Sequence, residues 1–152
     1  MIHIETNPSL QTDLAPEALE RAALAVLAHQ SIDGDLTIVL TDDLQLQELN
    51  RDYLGIDTPT DVLSFPASET DPETDRRYLG DILISVPRAE EQARAGGHPL
   101  EAEAQLLTVH GTLHLLGFDH AGAADKARMW KAQGEILERL GLSEIEIKDD
   151  TP

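Results

Sequence analysis

The chain has 152 residues, of which 41% are hydrophobic and 26% are charged. Its formal net charge is −18, and it contains no cysteine. This length predicts one domain, residues 1–152, with a core of its own. The missing cysteines exclude disulfides and thiolate metal sites, and the acidic balance disfavours non-specific binding to nucleic acid or membrane surfaces.

The first third of the chain is predicted to alternate strands with helices. Residues 2–5 alternate apolar and polar side chains, which indicates a half-buried strand. An apolar stripe predicts a helix over 15–30, and a β-branched run predicts a strand over 34–41. Thr41 is expected to cap the next helix, which should end at Gly55.

The rest of the chain is predicted to hold two strands and then three helices. The strands are expected within 58–66, where Pro66 should end the first, and at 78–86, with a polar surface loop at 67–77 between them. The helices, each bounded by proline or glycine or both, are expected at 87–97, 99–117 and 124–141. The acidic tail from about 143 to 152 is expected to fray.

The predicted element order is β-α-β-α-β-β-α-α-α. Four strands with helices before and after them favour an α+β layer fold, with one four-stranded mixed sheet and helices packed on it. The N-terminus lacks the basic and apolar segments of a signal peptide, and the longest apolar run, 22–28, is too short to span a bilayer. We therefore expect a soluble, cytoplasmic protein.

Half of the six histidines lie in one stretch of eleven residues, HGTLHLLGFDH. His110 and His114 are four apart, so on a helix their Cβ atoms lie roughly 5–6 Å apart on one face. Gly117 can end that helix in a left-handed conformation, which lets the chain turn back and present His120. Three neutral imidazoles with an open fourth position are typical of a catalytic Zn²⁺ site. The alternative is three ordinary histidines near a helix end.

The metzincin peptidases place histidines and a glycine at the same spacing, in H-E-x-x-H-x-x-G-x-x-H. Their glutamate is the general base beside the zinc, and here its place is taken by Gly111. This argues against ordinary peptide hydrolysis. A residue this small is also expected to leave room above the metal for a bulky substrate.

The histidine stretch resembles the hallmark of the bacterial YbeY-type endoribonucleases, the rRNA maturation factors. Two upstream blocks are similar to that family as well: LNRDYLGIDTPTDVLSFP at 49–66 and GDILIS at 80–85. Their order and spacing fit, and the resemblance spans roughly residues 35 to 135. It implies that His110, His114 and His120 hold one Zn²⁺ ion.

The same resemblance implies a zinc-dependent, single-strand-specific endoribonuclease. Its substrate would be ribosomal RNA, notably the 3′ end of the small-subunit RNA, and it would also act in ribosome quality control. Small-subunit components would be its partners, with no DNA or membrane partner expected. The zinc would activate water and polarise a phosphoryl oxygen, or that water would act as a base on the RNA 2′-hydroxyl.

The chain departs from the family pattern at one place. Many members carry an arginine directly after the tyrosine of the upstream block, thought to help in cleavage, whereas this chain has Leu54. A leucine cannot bind a phosphate. Either Arg51, Arg77 or Arg88 takes over RNA binding, or the activity is weaker or differently directed.

Three further polar residues are candidates for the cleft. Asp119 could orient a ligand or handle a proton, or could equally be a turn residue after Gly117. Thr60 and Asp61 could line the cleft at the start of a strand, although Asp61 could equally cap a loop.

Two other functions stay open: a non-catalytic ribosome-assembly factor with a structural zinc, and a zinc peptidase with an unusual base.

Overall fold

The computed structural model describes residues 1–145. The strands within this part are β1 (Ile2–Thr6), β2 (Asp35–Thr41), β3 (Val62–Thr70) and β4 (Arg77–Ser85). The helices are α1 (Pro16–Gln30), α2 (Asp43–Leu54), α3 (Val86–Gly96), α4 (Leu100–Leu115) and α5 (Ala123–Arg139). None of these helices is long and apolar enough to cross a membrane. Most of the tail that was expected to fray lies outside the described residues.

The four strands form one mixed sheet in the order β1-β2-β4-β3, which confirms the predicted α+β class. β1, β2 and β4 run parallel, and β3 runs antiparallel to β4. Alternate side chains along most of β2 and β4, among them Ile38 and the paired Ile82, are buried in the main core. The other face of β3 and β4 packs on α2 through Leu46, Leu63 and Leu83.

The prediction that Pro66 ends a strand is wrong, because β3 continues to Thr70. Within residues 1–145, β3 is an edge strand paired with β4, and the pairing register shifts between Pro66 and Glu69. An edge strand with an irregularity tolerates a proline, since the missing N–H need not break the ladder. The predicted loop 67–77 therefore shrinks to the turn between β3 and β4.

The cap of α2 is Asp42 rather than Thr41. The Asp42 carboxylate accepts a hydrogen bond of 2.9 Å from the backbone N–H of Gln45. Thr41 is the last residue of β2 and is fully buried, and its hydroxyl contacts the side chains of Asn7 and Gln45. Threonine and aspartate are both favourable N-cap residues. Asp42 is the cap because β2 extends through Thr41.

Helix α4 lies at the centre of the molecule. An amphipathic helix buries one stripe, and the residues Leu106, Val109 and Leu113, at three- and four-residue spacing, are indeed buried. Every residue from 102 to 113 is buried, however, because α1, α3, α5, β3 and β4 all contact this helix. Polar side chains on α4 are consequently held in fixed surroundings.

Candidate metal centre

Three histidines meet at the C-terminal end of α4. Each of His110, His114 and His120 offers a ring nitrogen, and these three nitrogens all lie within 4.8 Å of one another. The Nε2 atoms of His110 and His114 are 3.0 Å apart. Tetrahedral Zn²⁺ with Zn–N bonds near 2.05 Å would separate its nitrogen ligands by about 3.3 Å. The predicted trio is therefore brought together, with His110 and His114 at nearly the spacing that one ion needs and the His120 nitrogen within 4.8 Å of both.

The turn that brings in His120 is a Schellman motif at the end of α4. The N–H of Gly117 donates to the carbonyl of His114, and the N–H of Phe118 donates to the carbonyl of Leu113 at 3.0 Å. Gly117 has φ +98°, a conformation that side chains with a Cβ rarely adopt. The predicted purpose of this glycine is confirmed: it reverses the chain and carries His120 back over the helix.

Two of the rings are oriented by acceptors on their far sides. His110 Nδ1 lies 2.8 Å from Oε1 of Gln133, and His114 Nδ1 lies 2.8 Å from the carbonyl oxygen of Phe118. A ring that donates from Nδ1 keeps the lone pair of Nε2 free for a metal. The donor set thus fits Zn²⁺: three imidazoles whose ring nitrogens converge, with an outer acceptor for two of them.

Residues of α5 complete the surroundings, and the sequence reasoning missed them. The Trp130 ring lies 6.1 Å from that of His110 and 5.5 Å from that of His120, centroid to centroid. Lys126 Nζ lies 5.5 Å from the same indole. Gln133 is fully buried among the apolar residues Met129, Ala132, Ile136 and Leu137. A polar residue at a buried position of an amphipathic helix was the signal available in the sequence.

Gly111 does not leave room for substrate, contrary to the prediction. A Cβ at this position would point at the sheet, 2.9 Å from Cγ2 of Ile82 and 3.1 Å from Oγ of Ser64. The Ser64 hydroxyl also donates to the Gly111 carbonyl at 3.1 Å. The glycine is needed because α4 approaches β3 and β4 closely, and a glutamate here would enter this packed contact.

An open cleft of about 350 Å³ lies beside the histidines. Asp119 faces this cleft, and its Oδ1 accepts a hydrogen bond of 2.7 Å from the backbone N–H of His120. The lining is mostly apolar and comprises Leu54, Val62, Leu63, Ser64, Pro66, His114 and Asp119. Leu54, where the family pattern has arginine, is 56% exposed and forms part of this wall.

Thr60 and Asp61 lie buried where β3 begins, 8% and 4% exposed. Asp61 Oδ2 accepts a hydrogen bond of 3.2 Å from Gln92 on α3, and the Asp61 carbonyl accepts one of 2.9 Å from Ser85. These contacts join the start of β3 to β4 and α3, in line with the alternative that Asp61 caps a loop. Their participation in the cleft stays a prediction.

The three arginines proposed to bind RNA have different surroundings. Arg51 is exposed and pairs with Asp52 at 3.0 Å, and Arg77 is exposed at the start of β4. Arg88 donates two hydrogen bonds of 2.8 Å to the carboxylate of Asp43, which joins α3 to α2. These hydrogen bonds hold the pKa of Asp43 below its usual range. RNA binding by these arginines stays a prediction.

We expect the pair of Arg88 and Asp43 to stabilise the fold at neutral pH. Because the pKa of Asp43 is lowered in the folded state, this stabilisation is present above about pH 4 and is lost as the pH falls through the folded pKa. Both side chains are about one third exposed, which limits the contribution to about 1 kcal/mol. Urea unfolding of wild type and Asp43→Asn should differ clearly at pH 7 and differ less at pH 3, below the usual pKa of an aspartate. An equal difference at both pH values would contradict this account.

Comparison with known proteins gives the family. The family model described as Endoribonuclease YbeY matches residues 3–141. The chain belongs to the YbeY family. This confirms the resemblance noted in the three sequence blocks.

Individual relatives support the same assignment. The protein named Endoribonuclease YbeY of Desulfitobacterium hafniense is 45% identical over 76% of this chain and 78% of its own length. The protein of that name from Brevibacillus brevis is 40% identical over 94% of this chain and 96% of its own length. The solution structure of TM1509 from Thermotoga maritima superposes with a TM-score of 0.58, at 26% identity, covering 100% of this chain and 99% of that one. The family match thus covers residues 3–141, and the similarity to this solved structure extends over the whole fold.

Proposed function

We propose that this YbeY protein is a zinc-dependent endoribonuclease that cuts single-stranded RNA. Its substrate would be ribosomal RNA, above all the 3′ end of the small-subunit RNA, within the cytoplasm and together with small-subunit components. Ribosome quality control would draw on the same activity. The observation that carries the proposal is the meeting of three histidine nitrogens within 4.8 Å, at the side of an open cleft.

Different residues of the site would bind the ion and accept a proton. His110, His114 and His120 would hold the ion, which when bound supplies a Lewis acid for a phosphoryl oxygen and a more acidic water. Asp119 lies in the cleft with His114, so its carboxylate can accept a proton close to the reacting phosphate. The hydrogen bond that its Oδ1 accepts from the backbone N–H of His120 holds this carboxylate in position.

The shape and lining of the cleft favour an unpaired strand. Its walls are mostly apolar, and Leu54 and Pro66 can contact the face of a base. Next to it, Tyr53 is 70% exposed and meets Phe65 edge to face at 5.6 Å, which leaves ring surface open to stacking. Single-stranded RNA offers bases for such contacts, whereas a duplex keeps its bases stacked inside.

We expect Leu54→Arg to strengthen RNA binding through a new phosphate contact. One added contact to single-stranded RNA should steepen the dependence of log K on log salt by about 0.7. Fluorescence anisotropy of a labelled oligoribonucleotide across a salt series measures both effects. Leu44→Arg is the matched control, because Leu44 is 64% exposed at the opposite end of α2. The same change in slope in both variants would show that overall charge, and not the cleft, is responsible.

A non-catalytic ribosome-assembly factor is the second candidate. Leu54 favours it, because the cleft wall has an apolar side chain where the family pattern has a cation. The peptidase hypothesis has less support, since Gly111 supplies no base and a side chain at that position would collide with Ile82 of the sheet.

The experiment that separates these functions uses three substrates with the purified protein. A single-stranded oligoribonucleotide, its duplex and an unstructured peptide are incubated with added zinc or with a chelator. The proposal predicts zinc-dependent cleavage of the single strand alone. Binding of RNA without cleavage would favour the assembly factor, and peptide cleavage would restore the peptidase.

A further inference from the structure

We propose that Gln133 is a positioning residue of the metal centre, which selects the tautomer of His110. In one orientation its amide oxygen accepts the Nδ1 proton of His110 and leaves Nε2 bare for the ion. In the reversed orientation its amide N–H₂ donates to Nδ1, and His110 then pairs with His114 when no metal is bound. This inference rests on the metal site of the proposed function.

The geometry ties Gln133 to His110 closely. Gln133 Oε1 lies 2.8 Å from His110 Nδ1, and the two residues are 0% and 1% exposed. They belong to different helices, α5 and α4, so the contact is made by packing and not by a local turn. A hydrogen bond in such a dry contact decides which nitrogen carries the proton, because water cannot replace the partner.

His114 provides the reference for this argument. Its Nδ1 lies 2.8 Å from a backbone carbonyl oxygen, that of Phe118, which can only accept. His114 therefore keeps its proton on Nδ1 and presents a bare Nε2. That atom lies 3.0 Å from Nε2 of His110, so two bare lone pairs would face each other if His110 had the same tautomer. Such a pair requires a cation between the nitrogens, or a proton on one of them.

Glutamine can pair with either tautomer of His110, since its amide has an acceptor at one end and donors at the other. Within residues 1–145, Gln133 Nε2 has no hydrogen-bond partner in the observed orientation. Nothing there holds the amide in that orientation except the bond from Oε1 to His110. Reversal of the amide would move the proton of His110 to Nε2, which could then donate to His114. The bound ion would favour the first orientation and its absence the second.

The test measures zinc affinity without using RNA cleavage. We expect Gln133→Leu to weaken zinc binding about 10- to 100-fold, the usual effect of losing the outer partner of a metal-bound histidine. Gln133→Glu keeps an acceptor at the same place, so its zinc affinity should stay within about threefold of that of wild type. Competition with a chromophoric chelator gives the affinities. Gln105→Leu is the matched control, since it removes another buried glutamine of the core.

A second measurement uses the wild-type protein, so it does not depend on how well any variant folds. Nitrogen-15 NMR of the histidine rings should show the His110 proton on Nδ1 with zinc bound and on Nε2 without it. Unchanged zinc affinity in Gln133→Leu, or an equal loss in Gln105→Leu, would overturn the positioning by Gln133. A His110 proton on Nδ1 in both states would overturn the reversal. Failure of wild type to bind zinc at all would instead overturn the metal site itself.

Discussion

Replacing His114 by alanine is expected to abolish tight zinc binding while the fold stays intact. His114 is one of three converging candidate ligands, so its loss leaves two nitrogens and should cost more than the about 10- to 100-fold typical of an outer partner. Its ring is only partly buried at the end of α4, so the core loses little packing. Equilibrium dialysis with metal analysis should give one zinc per wild-type chain and none in the variant.

His3→Ala is the control for this variant. His3 is exposed on β1 and is not part of the histidine cluster, so its removal should leave the zinc content at one per chain. Circular dichroism of both variants verifies that each is folded. One zinc retained in folded His114→Ala would show that the ion is held elsewhere, and the assignment of the site would be wrong.

Replacing Gly80 by alanine should strongly destabilise the protein. Gly80 has φ +137°, and a Cβ there would lie 2.3 Å from the carbonyl oxygen of Phe65 and 2.9 Å from Cδ2 of Leu115. The first of these neighbours is backbone of the paired strand β3 and cannot move aside. Strain together with overpacking predicts a loss of about 3–5 kcal/mol in the free energy of unfolding, measured by urea titration.

Gly134→Ala gives the opposite expectation and serves as the control. Gly134 lies within α5, and a Cβ there meets nothing within 4 Å. Alanine should therefore add about 0.5–1 kcal/mol of stability through its helix preference. A loss of less than about 1 kcal/mol in Gly80→Ala would mean that β3 can separate from β4 at this point without consequence.

Gly80 also explains part of one sequence block. The block GDILIS begins with this glycine, and its apolar residues Ile82 and Ile84 enter the core under α4. The close approach of β3 and of Leu115 at Gly80 holds the end of α4 against the sheet, next to the histidines. This block therefore supports the metal centre by packing, although none of its residues is a candidate ligand.

The histidine trio could be predicted because its geometry is local. Two ligands are one helical turn apart, and the third follows a glycine turn of known form, so eleven consecutive residues define the arrangement. Alternation in β1 and a β-branched run in β2 similarly predict strands, and the order of strands and helices predicts the mixed sheet. Such sequence patterns predict the geometry of residues that are close together in the chain.

The features that were missed depend on contacts between distant parts of the chain. Gln133 reaches His110 across 23 positions, and no periodicity indicates which buried polar residue will face a ligand. The sequence predicts that Gly111 makes room for substrate, because it does not show that this side of α4 faces Ile82. The sequence also predicts a strand end at Pro66, because the position of Pro66 at the sheet edge depends on the strand order.

The central claim is that the three histidines and their ion cut RNA, and one measurement tests it most directly. Ribosomal RNA with an unprocessed small-subunit 3′ end is incubated with wild type and with His114→Ala, each with added zinc. The account predicts cleavage by wild type alone, lost on chelation and restored by zinc. Equal cleavage by both proteins, or no cleavage by zinc-loaded wild type on free RNA or on RNA within the small subunit, would contradict it.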